Sequence, residues 1–512
     1  MADRRNPLPP ARREQYGLIR DALRDHGFTE ASAARRLAVT SLYEYASAAA
    51  EASAGERAAN LAPADPLNEL IRAFLLGETR PPAGFRRLLG DALADALFDA
   101  GLLEMAAGGL RSPVQLNPVE DLLLISDPHS RYWRDRGAYP EDAVFSPLTP
   151  HVVQFLEAVP RRPAGRVLDL GTGCGVAALI ARREGAREVW GVDLNERAIA
   201  YACANAQLNN CDGVHFRAGD LYEPVKGLTF ERIVFHPPYD PVPRNGVSVM
   251  FAHSGVDGEL LTRLGVAAAP AFLEPGGRMY ISTMIIEAGG QTAAEKVAGW
   301  FGAAAAEMNV VLAERERLSQ DAYAVSLTAG KGGTFDKVGE ELRRLREAGI
   351  SGRVGGALVV ERRRQPGPAW REMRVQGPDT RAAELDWMLD WQERRLAPHA
   401  RELLLASRPR LNPALQLSIR YGVRDGELEP ASYRLETDFP LSSGLDASRG
   451  VVLLLNEMDG QRTGAELAET ARAKLGLDSP ERFTAALEAL VTGGFVEIEA
   501  APFPPRKPRA AG

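Results

Sequence analysis

Cysteine is scarce: Cys174, Cys203 and Cys211 are the three in 512 residues. An odd, sparse set excludes a disulfide framework and fits a reducing cytoplasm. No Cys-x-x-Cys pair occurs, which speaks against a structural zinc site, so no metal is expected. No apolar run approaches the roughly 18 residues that a membrane span needs, so no membrane partner is expected. The opening stretch MADRRNPLPPARREQ has charge and proline but no apolar segment, and no signal peptide is read there. Lysine is nearly missing as well, 6 against 55 arginines. The arginines are scattered among acids, which reads as a coding bias. With a net charge of −7 the chain as a whole is no polyanion binder, although a local basic patch stays open.

What is present is ordinary for a globular protein: 45% hydrophobic and 25% charged residues. At about 150 residues per domain the length suggests roughly three domains. Residues 1–15 are polar and proline-rich and are expected to be a disordered tail. Residues 16–140 read as a helical, winged-helix-like domain. GLIRDALRDHGF and NELIRAFLLG carry the i, i+3, i+4 apolar spacing of helices, and ADALFDAGLLEM reads as another helix, broken at Gly108-Gly109. Short strands follow at Leu110-Arg111 and between Val114 and Ile125. Such a domain serves packing or dimerisation in the plain reading, and substrate recruitment in the sharper one.

From residue 141 to 365 short apolar strands alternate with helices. RVLDL, EVWGVDL, VHFRAGD, RIVFH and RMYIST are the strand candidates, with NVVL (309–312), YAVSLT (323–328) and ALVVE (357–361) to complete the sheet. FDKVGEELRRLREAG reads as a helix before the last of these. The alternation predicts an α/β, Rossmann-like parallel sheet. RRRQPGPAW (362–370) reads as a linker. Residues 366–502 then read as an α+β, winged-helix-like domain: helices around 380–406, a hairpin turning near Asp425-Gly426, further helices, and the strand GFVEIE. Between Asp446 and Glu499 ten acids face five bases, the wrong balance for phosphate contacts. Residues 503–512 read as a solvated tail.

The chemistry concentrates at Val167-Leu168-Asp169-Leu170-Gly171-Thr172-Gly173-Cys174-Gly175. An apolar strand enters a glycine-rich turn and then a helix, so backbone can approach a ligand where a Cβ would clash, with unpaired helix N–H groups behind it. Asp193 ends the next strand, 18 residues after Gly175, where a carboxylate can accept both ribose hydroxyls. Asp220 follows the strand after that and can accept from an adenine amino group. The spacing is Gly-x-Gly-x-Gly and not the Gly-x-Gly-x-x-Gly of dinucleotide enzymes, which favours S-adenosylmethionine (SAM) over a pyrophosphate cofactor. Cys174 reads as a small packing residue.

A second motif, His236-Pro237-Pro238-Tyr239, follows the strand RIVF. Taken together, DLGTGCG, GVDLN, GDL and HPPY resemble class I SAM-dependent methyltransferases. Within that class they are similar to the small-domain N-methyltransferases, which include the release-factor glutamine and the rRNA and DNA amino methyltransferases. The resemblance covers about residues 143–365. It implies that Asp169, Gly171, Gly173 and Gly175 line the methionine and ribose side, with Thr172 and Leu194 beside them. It implies that Asp193 takes the ribose hydroxyls and that Asp220 and Leu221 border the adenine. Phe145 to Pro150 fall where the family has a loop next to cofactor and acceptor.

In the family the tetrad is Asn/Asp-Pro-Pro-Tyr/Phe. Its first side chain and a following carbonyl accept hydrogen bonds from the target NH₂, the prolines fix that carbonyl, and the aromatic ring packs on the flat acceptor. Here His236 replaces the first residue. A neutral imidazole nitrogen accepts or donates, not both, and it could also act as a base. The expected activity is N-methylation of a protein glutamine or nucleic-acid amino group, the acceptor being a protein, an RNA or a small molecule. Two rivals stand beside it: O- or N-methylation of a small molecule with His236 as base, and a SAM-binding scaffold without catalysis. The Gly/Pro-rich stretch 240–258, with His253, Ser254 and Asp257 near its end, reads as a functional loop.

Overall fold

The computed structural model describes residues 8–9, 13–45, 54–128, 140–239, 241, 254–255, 257–328, 334–365, 368–377, 380–475 and 479–506. Most of the stretch 240–258, His253 included, lies outside them, as do most of the two expected tails. The chain divides into two compact units. One comprises residues 1–310 and 318–371, the other 311–317 and 372–512.

In the first unit the α/β sheet has the order β7-β6-β5-β8-β9-β11. Its strands are β5 (Arg166–Leu170), β6 (Glu188–Asp193), β7 (Val214–Ala218), β8 (Phe230–Phe235), β9 (Leu273–Ala288) and β11 (Ile350–Arg362), whereas β10 (Met308–Ser319) lies for the most part in the second unit. β5 runs parallel to both β6 and β8, and β8 parallel to β9, whereas β11 is antiparallel to β9. Val167, Leu168 and Leu170 on β5, and Ile233, Val234 and Phe235 on β8, are wholly or almost wholly buried, as strands covered on both faces must be. The consequence for function is positional. The chain leaves β5 outward through β6 and β7, then returns to lay β8 on the other side of β5. Strand order therefore reverses between β5 and β8, and a crevice opens beyond their carboxyl ends. The glycine turn follows β5 and the His-Pro-Pro-Tyr tetrad follows β8, so the topology alone brings the two motifs to one place.

The N-terminal elements belong to the same compact unit. Helices Arg13–Asp25, Glu30–Arg36, Pro82–Leu89 and Asp91–Asp99 precede two hairpins, β1 (Glu104–Ala106) with β2 (Gly109–Arg111) and β3 (Gln115–Val119) with β4 (Leu122–Ser126). The reading of ADALFDAGLLEM as one helix is corrected here. The helix stops at Asp99, Gly101 takes φ +69°, and Glu104-Met105-Ala106 is already strand. The β3–β4 turn places Glu120 and Asp121 at φ +53° and +56°, the two positive values that a two-residue hairpin turn demands.

The outer edge of β4 is closed by side chains. On the helix Glu196–Leu208 and its C-cap, Asn205 and Asn209 stand one turn apart. Asn205 accepts the Ile125 N–H (2.7 Å) and donates to the Ile125 carbonyl (3.0 Å). Asn209 does the same for Leu123, at 2.8 Å each way. Two carboxamides thus pair the strand edge as another strand would. Below them Arg197 meets the fully buried Asp127 at 2.5 Å, and Asp127 also accepts the Val144 N–H at 2.7 Å.

Tyr323–Thr328, expected as a strand, is helical within Gln320–Thr328. Ser319 Oγ accepts the Ala322 N–H at 3.3 Å, a helix N-cap interaction, and Tyr323 and Ala324 bury against Ile286 and Leu345. That packing overrides the β-propensity of the segment.

In the second unit β12 (Arg371–Val375) runs beside the middle of β10. After the short strand β13 (Arg410–Leu411), the hairpin β14 (Gln416–Arg424) and β15 (Glu427–Thr437) turns at Asp425-Gly426 as the sequence predicts, and β16 (Ser443–Ala447) adds a third strand. Helices Ala382–Arg395, Ala400–Ala406, Arg449–Leu455, Gly464–Leu475 and Pro480–Thr492 gather a core around Trp391, Leu454, Phe483 and Phe495. No helix among the described residues is long and apolar enough to cross a membrane.

Candidate active site

A cavity of about 810 Å³ opens beyond the ends of β5 and β8. Of the thirteen site residues expected from sequence, twelve line it: Asp169, Gly171, Thr172, Gly173, Asp193, Leu194, Asp220, Leu221, His236, Pro237, Pro238 and Tyr239. Gly175 stands back from it. It takes φ +86° as the N-cap of the helix Val176–Arg183, and a Cβ there would fall 3.1 Å from Ala202 Cβ and 3.2 Å from Phe216. Its absent side chain lets the helix approach the sheet and does not admit a ligand. Gly173 is the opposite case. It has φ +53°, and a Cβ on it would meet no protein atom within 4 Å. A side chain at Gly173 would therefore occupy open space at the cavity wall.

The turn is held from below. Thr172 Oγ1 donates to Asp169 Oδ2 at 2.7 Å, and the same oxygen accepts the Ala178 N–H at 3.0 Å. Asp193 accepts the Gly173 N–H at 2.8 Å and the Asn195 N–H at 2.9 Å. Asp193 thus shapes the turn as well as facing the cavity. Burial pushes the Asp169 carboxyl up to about 7 and raises that of Asp193. Burial likewise drives the Cys174 thiol up to about 12, which leaves it an inert packing group.

The lining suits a cation. Glu141, Asp169, Asp193 and Asp220 face the cavity, and among the described residues that line it there is no lysine or arginine. Together with the open space at Gly173, this donor set fits SAM, whose sulfonium and ammonium are positive. The linkage fixes a sign. Between the ordinary Asp value of 3.8 and about 7 the folded protein holds a proton on Asp169 that the unfolded chain has lost, so stability falls as pH rises through that window. A cation attracts the ionised form, so SAM affinity is expected to rise over the upper part of that window and level off above pH ~7. Calorimetry from pH 5.5 to 8.5 checks this, and Asp169→Asn should flatten the profile.

The tetrad closes the other end. His236 lies with its ring stacked on Phe155, centroids 4.9 Å apart and 14° from parallel. Burial, with the charge of His151 second, lowers its imidazole to about 3, so His236 is neutral throughout the physiological range. Tyr239 Oη is 2.6 Å from His151 Nδ1, and the two rings meet edge to face at 5.7 Å. The Tyr239 carbonyl accepts a hydrogen bond from Arg353 Nη2, and that guanidinium, buried on β11, lies over the rings of both Tyr239 and Tyr323.

The expected loop Phe145–Pro150 contributes Phe145 and Pro147 to the cavity wall. Three contributors were not singled out from sequence: His151, Phe155 and Arg353. The first two sit one helical turn apart after the N-cap Thr149, a signal visible in FSPLTPHVVQF as a helix start and nothing more. Arg353 comes from a strand 114 residues beyond Tyr239, and no local pattern marks it. Among the described residues no cluster of three His, Cys, Asp or Glu is placed to hold a metal.

Residues 152–284 match the model of the methyltransferase small domain family. A release factor glutamine methyltransferase of Xylella fastidiosa is 38% identical over 136 residues, 25% of this chain and 49% of that protein. Its namesake from Geobacter sulfurreducens is 35% identical over 161 residues, 28% of this chain and 52% of its own. Another, from Deinococcus radiodurans, is 35% identical over 172 residues, 32% and 59% respectively. The chain thus spans about half the length of the curated relatives it matches.

Proposed function

We propose, for a chain that carries a class I methyltransferase domain of the release-factor glutamine methyltransferase type, that it moves a methyl group from SAM to the side-chain nitrogen of a protein glutamine. The observation that carries this reading is the single cavity in which the acid-lined glycine turn and the His-Pro-Pro-Tyr tetrad face each other. When bound, SAM supplies an electrophilic methyl group. The chain's part is binding and alignment. Asp193 and Asp220 offer acceptors for ribose and adenine, Asp169 and Thr172 hold the turn, and Gly173 leaves the wall open. Tyr239 and Phe155 flank His236 with aromatic surface that suits a flat carboxamide. In-line transfer to such a nitrogen depends on orientation more than on proton removal.

The low imidazole value favours this reading over a small-molecule reaction with His236 as base. A group that protonates only near pH 3 is a weak base at neutral pH. Incubation with labelled SAM and a purified bacterial release factor should place the label on the factor, and peptide mapping should place it on glutamine. At saturating SAM the pH–rate profile should show no inflection near 6.5, the ordinary histidine value. His236→Asn should retain most of the activity. A rise in rate through pH 6–7 that the variant abolishes would instead make His236 the base. Label found only in the small-molecule fraction of a lysate would refute the protein acceptor. The sparse thiols and the translation-linked relatives support a cytoplasmic site of action. The acidic 446–499 segment supports a packing role for the second unit rather than nucleic-acid binding.

A further inference from the structure

The helix Pro150–Glu157 holds the tetrad at both ends. His151 Nδ1 lies 2.6 Å from Tyr239 Oη, within hydrogen-bond distance, and Phe155, one turn later on the same face, stacks under His236. His151 also lines the cavity that the tetrad faces. A carboxamide acceptor presents two needs at once: its N–H groups require an acceptor and its carbonyl requires a donor. An asparagine at the head of the tetrad can accept and donate together, whereas one imidazole nitrogen does only one of these. His236 therefore leaves half of the recognition unmade.

We infer that His151 supplies that half: with Nδ1 accepting the Tyr239 hydroxyl proton, its Nε2–H donates to the carbonyl oxygen of the bound carboxamide, while His236 accepts from its nitrogen. The inference rests on the glutamine reading above. Tyr239 is then a positioning residue that fixes the His151 tautomer, and the acceptor site divides between two imidazoles what one amide does elsewhere. The arrangement selects a neutral carboxamide. Among the described residues that line the cavity, no lysine or arginine is offered to a carboxylate.

The test is a double-mutant cycle on methyl transfer to a purified bacterial release factor, with SAM affinity measured in parallel by calorimetry. His151→Phe is expected to lower kcat/KM by about 10- to 100-fold, the loss of one hydrogen bond to a partly desolvated partner, with SAM affinity unchanged. His151→Gln keeps an N–H donor and should recover most of that loss. In the His236→Asn background, where the head of the tetrad regains both functions, His151→Phe should cost less than about 3-fold. Equal losses in the two backgrounds mean that His151 only props the helix, and overturn the proposal. A wild type that binds SAM but leaves the release factor unlabelled overturns the glutamine reading instead. The tautomer is read without any acceptor, by ¹⁵N-histidine spectra of the SAM-bound protein. The Nε2–H form of His151, lost to exchange between tautomers in Tyr239→Phe, supports the proposal, and an Nδ1–H form overturns it.

Discussion

Arg197→Met is expected to cost about 3–5 kcal/mol of folding stability, the usual penalty for stranding one member of a buried ion pair. Arg197 and Asp127 have side chains only 8% and 0% exposed, and the pair also engages Tyr201 Oη and, at 3.4 Å, Asp142. Removal of the guanidinium leaves a carboxylate in an apolar setting that already raises its proton affinity. The variant should therefore fold with Asp127 protonated. A carboxyl raised further above its unfolded value contributes stability at low pH that is lost as pH rises, so the deficit should be larger at pH 8 than at pH 5. Urea unfolding at the two values measures it. A loss under about 1 kcal/mol at pH 8 would show that water reaches Asp127 once the guanidinium is gone.

Asp193→Ala should lower SAM affinity by roughly 10- to 100-fold. A charge-assisted hydrogen bond contributes about 1.5–3 kcal/mol, and each 1.4 kcal/mol is tenfold. Asp193 also holds the Gly173 and Asn195 N–H groups, so its removal loosens the turn against which the ligand rests. Asp193→Asn keeps one carbonyl acceptor and should lose less. Calorimetry on both variants, with circular dichroism to confirm the fold, separates contact from collapse. Affinity equal to that of the wild type in Asp193→Ala would remove this residue from the cofactor site.

The parts of the site legible in the sequence are those whose chemistry is local. A glycine turn between strand and helix, an acid at the end of the next strand, and two prolines after an apolar strand each declare a backbone geometry within a few residues. That the two motifs serve one site was implied by the family resemblance, and the reversal of strand order between β5 and β8 brings them together. What remained hidden depends on side chains meeting across sequence. His151 looks like the second residue of an ordinary helix, and its role exists only because β8 delivers Tyr239 to it. Arg353 falls between the expected helix and the strand expected at 357–361 and carries no local signal, although it is buried beneath the tetrad. YAVSLT misleads for the converse reason. Its β-branched and aromatic residues favour a strand locally, but a cap at Ser319 and the apolar seat beside Leu345 decide for helix. Gly175 shows that residues of one motif can serve different ends, Gly173 by opening space and Gly175 by closing a packing gap.

The pairing of Asn205 and Asn209 with β4 bears on how the chain can be divided. Asn205 spends its second N–H on the carbonyl of Cys174, inside the glycine turn, at 2.8 Å. One carboxamide thus joins the outer hairpin, the helix after β6 and the glycine turn. Cutting the chain ahead of residue 140 would take from Asn205 and Asn209 their bonds to Ile125 and Leu123, and from Arg197 its bond to Asp127. The hairpin β3–β4 is thus part of the interior, and a change at Ile125 reaches the glycine turn through a single side chain.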